Sequence, residues 1–217
     1  MKILKFEYYT EEILIENLRK IHLKGSPDLK IYKNAKIYIK ENVDTNDIHF
    51  PQYYVLEKDL NEIELTRREL LEYGIDIFKL KGFVRVFYRD ENDYQVKIFD
   101  VLPPVVEISK ADGDIPLLND GMHRLYLAHR EGCKMNVVTV EDFDHSYPYY
   151  ALPNEGGWSN LKRCSEVPDI KKNYRIKEYK TLFRDFNTAF INVTQSRTNK
   201  KPRQLKVAGE KVRVCGE

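Results

Sequence analysis

Apolar residues recur with helical spacing near the start of the chain, where Ile13, Leu14, Ile15, Leu18 and Ile21 predict a helix within residues 10–24 that Gly25-Ser26-Pro27-Asp28 ends. The pattern then turns to alternation. Leu29 and Ile31, then Ile37 and Ile39, predict one or two strands around Asn34. Leu60, Ile63, Leu70 and Leu71, set among charges between Glu57 and Tyr73, predict a second helix capped by Gly74. Residues 82–88 and 94–101 read as two strands joined by a hairpin turn over 89–93. From Ile115 to Glu141 the chain reads as strand, tight turn, helix and strand. Ile115, Leu117 and Leu118 are the first strand, Asn119-Asp120-Gly121 the turn, Leu125 and Ala128 the inner face of a helix ended by Gly132, and Val137, Val138 and Val140 a buried second strand. Beyond it, Phe143, Tyr147, Tyr149, Tyr150 and Trp158 stand among prolines and glycines, a loop that either packs on the core or covers a pocket. Tyr179, Leu182, Phe183, Phe186, Ala189 and Phe190 then share one helical face and predict a continuous core-packing helix over 180–190. Helices interspersed with strands in this order predict a mixed α/β (α+β) fold with a small mixed sheet and flanking helices, and no repeat divides residues 1–217 into more than one domain.

Composition narrows the setting. The chain has 217 residues, 42% hydrophobic and 32% charged, enough for one well-buried core. It has no apolar run of about 18 residues, and MKILKFEYYT is not a signal peptide. The expectation is a cytoplasmic protein without a membrane partner. Cys133, Cys164 and Cys215 are widely spaced and odd in number, which reads as isolated thiols with no disulfide and no zinc site. The net charge of +2 hides an uneven distribution: residues 192–217 carry seven basic side chains against two acidic ones. Such a tail either holds a polyanion, making nucleic acid a candidate partner, or is a solvated, mobile end.

The candidate chemistry sits at the turn before the third predicted helix. With Asp120 as N-cap, Gly121, Met122, His123 and Arg124 fill the first turn, where unpaired amides and the positive end of the helix dipole favour an anion. Arg124 adds a permanent cation, and His123 can donate to a phosphate oxygen or relay a proton. Asp120, Gly121, Met122, His123 and Arg124 are thus the candidate phosphate cradle, with an ordinary capped helix as the alternative. If the cradle holds ATP or ADP, phosphoryl transfer calls for charge neutralisation, usually with Mg²⁺, and a carboxylate to activate the acceptor or hold the metal. Glu107, on a strand that can run beside 115–118, is the first candidate, with His123 as catalytic partner; Asp120 is the second. Asp112 and Asp114 belong to hairpin-turn composition. His129 lies on a different helical face from His123, so the two do not share a metal. Asp142, Asp144 and His145 form a second acidic cluster, either a divalent-ion site or simply a loop.

The run Asp120-Gly121-Met122-His123-Arg124-Leu125, followed by Ala128 and Gly132, resembles the DGxHR helix-start signature of the ParB/sulfiredoxin superfamily. The likeness extends back through Asp100-Val101-Leu102-Pro103-Pro104-Val105-Val106-Glu107, and residues 82–145 are expected to form the ParB/sulfiredoxin-like core. The resemblance implies nucleotide phosphates at this loop and helix, and three activities: CTP-hydrolysing partition proteins, ATP-dependent sulfiredoxins and kinases of free serine. Met122 stands where sulfiredoxins carry their reactive cysteine, and a thioether forms no thiolate, which argues against sulfinic repair. The partition proteins have arginine at the position of His123 and continue into a helix-turn-helix that is not evident after Glu141. The serine-kinase form matches at Asp120, Gly121 and Arg124. The first expectation is therefore an ATP- or ADP-dependent, kinase-like phosphotransferase acting on a small hydroxyl-bearing acceptor. A nucleic-acid-binding protein or nuclease of the ParB type comes second, and a non-catalytic interaction domain third.

Overall fold

The computed structural model describes residues 2–89 and 95–190. The basic tail, Cys215 and most of the predicted turn over 89–93 lie outside the described residues. The order of elements is β1 (Lys2–Tyr9), α1 (Glu11–Leu18), β2 (His22–Leu23), β3 (Ser26–Lys30), β4 (Lys36–Val43), β5 (Tyr54–Leu56), α2 (Glu57–Leu71), β6 (Phe83–Arg89), β7 (Lys97–Val101), β8 (Val105–Ser109), β9 (Ile115–Asp120), α3 (Met122–Arg130), β10 (Met135–Glu141), β11 (Lys162–Cys164) and α4 (Phe186–Phe190). The fold is of the mixed α/β class. β1, β6 and β7 form an antiparallel sheet in the order β1-β6-β7, and a second sheet runs β4-β10-β8-β9. In that second sheet β10 is parallel to β8 and antiparallel to β4, while β8 and β9 form an antiparallel hairpin.

The local reasons are plain. β10 is central, and Met135, Val137, Val138 and Val140 are all buried, as a strand covered on both faces requires. α3 joins the edge strand β9 back to β10 and buries Met122, Leu125, Leu127 and Ala128. It ends where Gly132 turns left-handed at φ 65°, with the Cys133 N–H bonded to the Ala128 carbonyl at 2.9 Å. α2 packs on α3, and Ile77, Phe78, Val84, Val86 and Val106 fill the core around them. A second cluster under α1 gathers Leu14, Leu18, Ile21, Tyr32, Phe83, Val105, Val138 and Phe190.

Two expectations need correction. The segment predicted as one helix over 180–190 is a 3₁₀ turn at Tyr179–Leu182, an extended link, and the short α4. The link exists because Arg184 bridges to Leu23 and the Asp185 N–H bonds the His22 carbonyl at 2.9 Å, extending the β2–β3 ribbon. Asp120 is not an N-cap: it is the last residue of β9, and the cap position of α3 is Gly121 at φ 97°. The loop after β10 packs on the core at Phe143 and Tyr149, which are 5% and 2% exposed. No helix among the described residues is long and apolar enough to cross a membrane.

Candidate functional site

The β9–α3 junction is shaped by one glycine. At Gly121 a left-handed φ coincides with close approach of Pro104, and an added Cβ would lie 2.9 Å from the Pro104 Cα and 3.0 Å from the Arg124 guanidinium. Only glycine fits both constraints. The first intrahelical bond of α3 runs from the Leu125 N–H to the Gly121 carbonyl at 2.9 Å, and no side chain caps the helix. The amides of Met122, His123 and Arg124 therefore have no partner within the helix.

This helix start opens into a cleft of about 740 Å³. One wall is apolar and aromatic, with Leu56, Ile63, Tyr88 and Phe99. Tyr88 and Phe99 meet edge to face at 5.3 Å. The other end is polar, with Gln52, Asn119, Asp120, Arg124 and Lys172. Asp59 and Glu62 add carboxylates from α2. The Arg124 guanidinium donates to the Asp120 carboxylate at 2.6 Å, and its Nε is buried without a partner. Gln52 Oε1 and Asn119 Oδ1, at the same end, are buried acceptors also left without a donor. Three orphaned polar groups in one cleft are what a polar ligand would satisfy.

His123 faces two demands. Its Nε2 accepts the Leu56 N–H at 3.2 Å at the start of α2 and lies 3.5 Å from the Asp59 carboxylate. Burial lowers its pKa, Asp59 opposes that, and Arg124 adds to the lowering. The acceptor role requires the neutral ring with its proton on Nδ1.

Of the residues singled out in the sequence, Asp120, Gly121, Met122, His123 and Arg124 all line this cleft, and Glu107 does not. Glu107 is completely buried in β8, and both its oxygens are held by Arg184, at 2.8 and 3.1 Å. Tyr32 also donates to it through a short hydrogen bond. Burial alone would depress the Arg184 pKa, but the charge of Glu107 overrides it and holds the guanidinium above its ordinary value. A carboxylate so engaged anchors the C-terminal segment to β8 and does not line the cleft. Tyr32 has a single proton, given to Glu107, so its oxygen accepts from the Asn119 amide at 2.9 Å; this fixes which way that amide faces.

His129 stacks on Trp158 with ring centres 3.9 Å apart. No group of three or more His, Cys, Asp or Glu among the described residues is arranged to hold a metal, the Asp142–Asp144–His145 cluster included. Cys164 is a free thiol, and Cys133 is buried. Lys172 was not evident in sequence, since it belongs to no helical or strand pattern.

A mixed sheet delivers a strand through Gly121 onto an open helix start beside a partly apolar cleft, an arrangement of the mixed α/β class. The model of the ParB CE domain matches residues 13–162, and the chain belongs to that family. No curated protein and no solved structure matches the chain. Membership favours the ParB-type, nucleic-acid-linked reading over the kinase-like one that the signature had put first.

Proposed function

We propose that this chain is a nucleotide-binding domain of the ParB type, which holds nucleotide phosphates at the start of α3 and acts in association with nucleic acid. The observation that carries the reading is the geometry at Gly121: first-turn amides with no partner in the helix, and Arg124, line a 740 Å³ cleft that Tyr88 and Phe99 also line. The amides and the helix dipole favour the phosphates, and Tyr88 and Phe99 offer a surface for a base. Asp120 keeps Arg124 oriented until a phosphate competes for the guanidinium. The basic stretch of 192–217 supports a polyanionic partner.

A second reading, phosphoryl transfer from ATP or ADP to a small hydroxyl-bearing acceptor, is favoured by one feature. The cleft contains the carboxylates of Asp59 and Asp120 beside His123, groups suited to hold Mg²⁺ or take a proton. In that reading Asp120 or Asp59 replaces Glu107 as the base.

Thermal shifts with ATP, ADP, CTP and GTP, each with and without Mg²⁺, test the first reading. A selective rise that grows with ligand concentration and disappears in Arg124→Ala is expected. No shift with any of the four would leave the helix start as a structural junction and favour a non-catalytic interaction domain. Phosphate released or transferred, in the presence of candidate acceptors, separates turnover from binding.

A further inference from the structure

We infer that Lys172, which lies beyond the residues matched by the family model, is a second cation of the phosphate site, carried into the cleft by a C-terminal strap. The inference rests on the nucleotide-binding reading above and adds to it a binding residue from outside the matched segment.

The strap is pinned on both sides. Gln52 pairs with Lys172 in an antiparallel bridge, the Tyr53 N–H bonds the Lys171 carbonyl at 3.3 Å, and the Leu152 N–H bonds the Asn173 carbonyl at 2.8 Å. Arg175 fastens the next turn, donating to the Tyr149 carbonyl at 2.7 Å and pairing with Asp112. A lysine whose backbone is sewn to two neighbouring segments is positioned, whereas a surface lysine spends its side-chain freedom in solvent.

The ammonium group is equally constrained. It donates to the hydroxyls of Tyr149 and Tyr150 and sits over both rings. Tyr149 in turn donates to the Asn119 carbonyl at 3.3 Å, tying this group to the strand that leads into Gly121. An ammonium has three donors, and two phenols use two of them. Its neighbours are unequal to its charge. Tyr149 and Tyr150 are neutral phenols, and Tyr54 from β5 lines the same cleft. Asp120 is the carboxylate that favours the protonated form, and it is already bonded to Arg124. Asp59 and Glu62 line the cleft from α2, while Arg124 repels from α3. Burial brings the Lys172 pKa down to about 8, so the group is still charged at neutral pH but under-compensated. A half-buried cation held at a fixed place, short of counter-charge and lining the same cleft as an open helix start, is what an arriving phosphate neutralises. The orphaned Asn119 Oδ1, Gln52 Oε1 and Arg124 Nε mark the same end of the cleft as incomplete without a ligand.

The test is the affinity of the tightest-binding nucleotide among ATP, ADP, CTP and GTP for wild type, Arg124→Ala, Lys172→Met and Lys172→Arg, with the melting temperature of each. Lys172→Met is expected to bind at least about tenfold more weakly while melting no lower than wild type, because the desolvated charge is gone. Lys172→Arg should keep most of the affinity. Wild-type affinity should fall as pH rises through about 8, and Lys172→Arg should not show that fall. If Arg124→Ala weakens binding but Lys172→Met binds as wild type, the inference is overturned and the nucleotide reading stands. If wild type binds none of the four, both are overturned. Should Lys172→Met not fold, parallel pH profiles for wild type and Lys172→Arg would overturn the inference, and divergent ones would support it.

Discussion

His123 shows how one side chain couples the cleft to the stability of the fold. Its neutral ring accepts the Leu56 N–H at the start of α2, and burial keeps its pKa below the ordinary 6.5. In the unfolded chain the same histidine protonates below about 6.5, so between its native value and 6.5 the unfolded state binds more protons. The stability it contributes is fully present above 6.5 and is lost as pH falls through the native value. His129 is shifted the same way by burial. Urea midpoints should therefore drop between pH 7.5 and 5.5, and His123→Gln should show a smaller drop than wild type; equal drops would show that this ring does not report its burial. The position of the helix start was legible, because Asp-Gly before an apolar helical face is a local signal, although Gly121 and not Asp120 takes the cap position. Lys172 was not, since its environment is made by Tyr149, Tyr150 and Asp120, and none of these contacts is encoded in the local pattern around it.

At the scale of elements, the β9–Gly121–α3 junction fixes where the first-turn amides point. Gly121→Ala forces an L residue into φ 97° and places its Cβ against Pro104, so a loss of about 1–3 kcal/mol in unfolding free energy is expected, together with weaker nucleotide binding. Denaturant titration of the variant checks this, and unchanged stability would show that the junction relaxes freely. Strands and helices with strong local periodicity, α2, α3, β6 and β10, were readable from sequence within a residue or two at most ends. The C-terminal segment was misread because its apolar spacing is helical on both sides of Arg184, while tertiary pairing with β2 pulls the link straight. Glu107 held the missing clue: a carboxylate between Val106 and Ile108 on a buried strand requires a buried cation, but only the fold says which one.

For the whole molecule, the Glu107–Arg184 pair ties the C-terminal segment to the central sheet, with Tyr32 and Asn119 extending the connection to the rim of the cleft. Removing only the cation leaves a fully buried carboxylate unpaired, and Arg184→Met should cost about 3–5 kcal/mol by denaturant unfolding. Glu107→Gln combined with Arg184→Met should recover a substantial part of that loss. A double variant no more stable than Arg184→Met would locate the cost in the backbone carbonyls of Tyr147, Pro148 and Leu182, which Arg184 also holds. The same logic means that loss of function on replacing Glu107 reports on folding before chemistry. The central claim is that nucleotide phosphates sit on the open turn of α3. It is tested most directly by following backbone amide resonances in two-dimensional ¹⁵N NMR while ATP or CTP is added with Mg²⁺. The account predicts that the amides of Gly121, Met122, His123 and Arg124 move first and saturate together, with the Arg124 Nε–H signal shifting alongside them. Saturable shifts confined to other surfaces, or none at millimolar nucleotide, would contradict it.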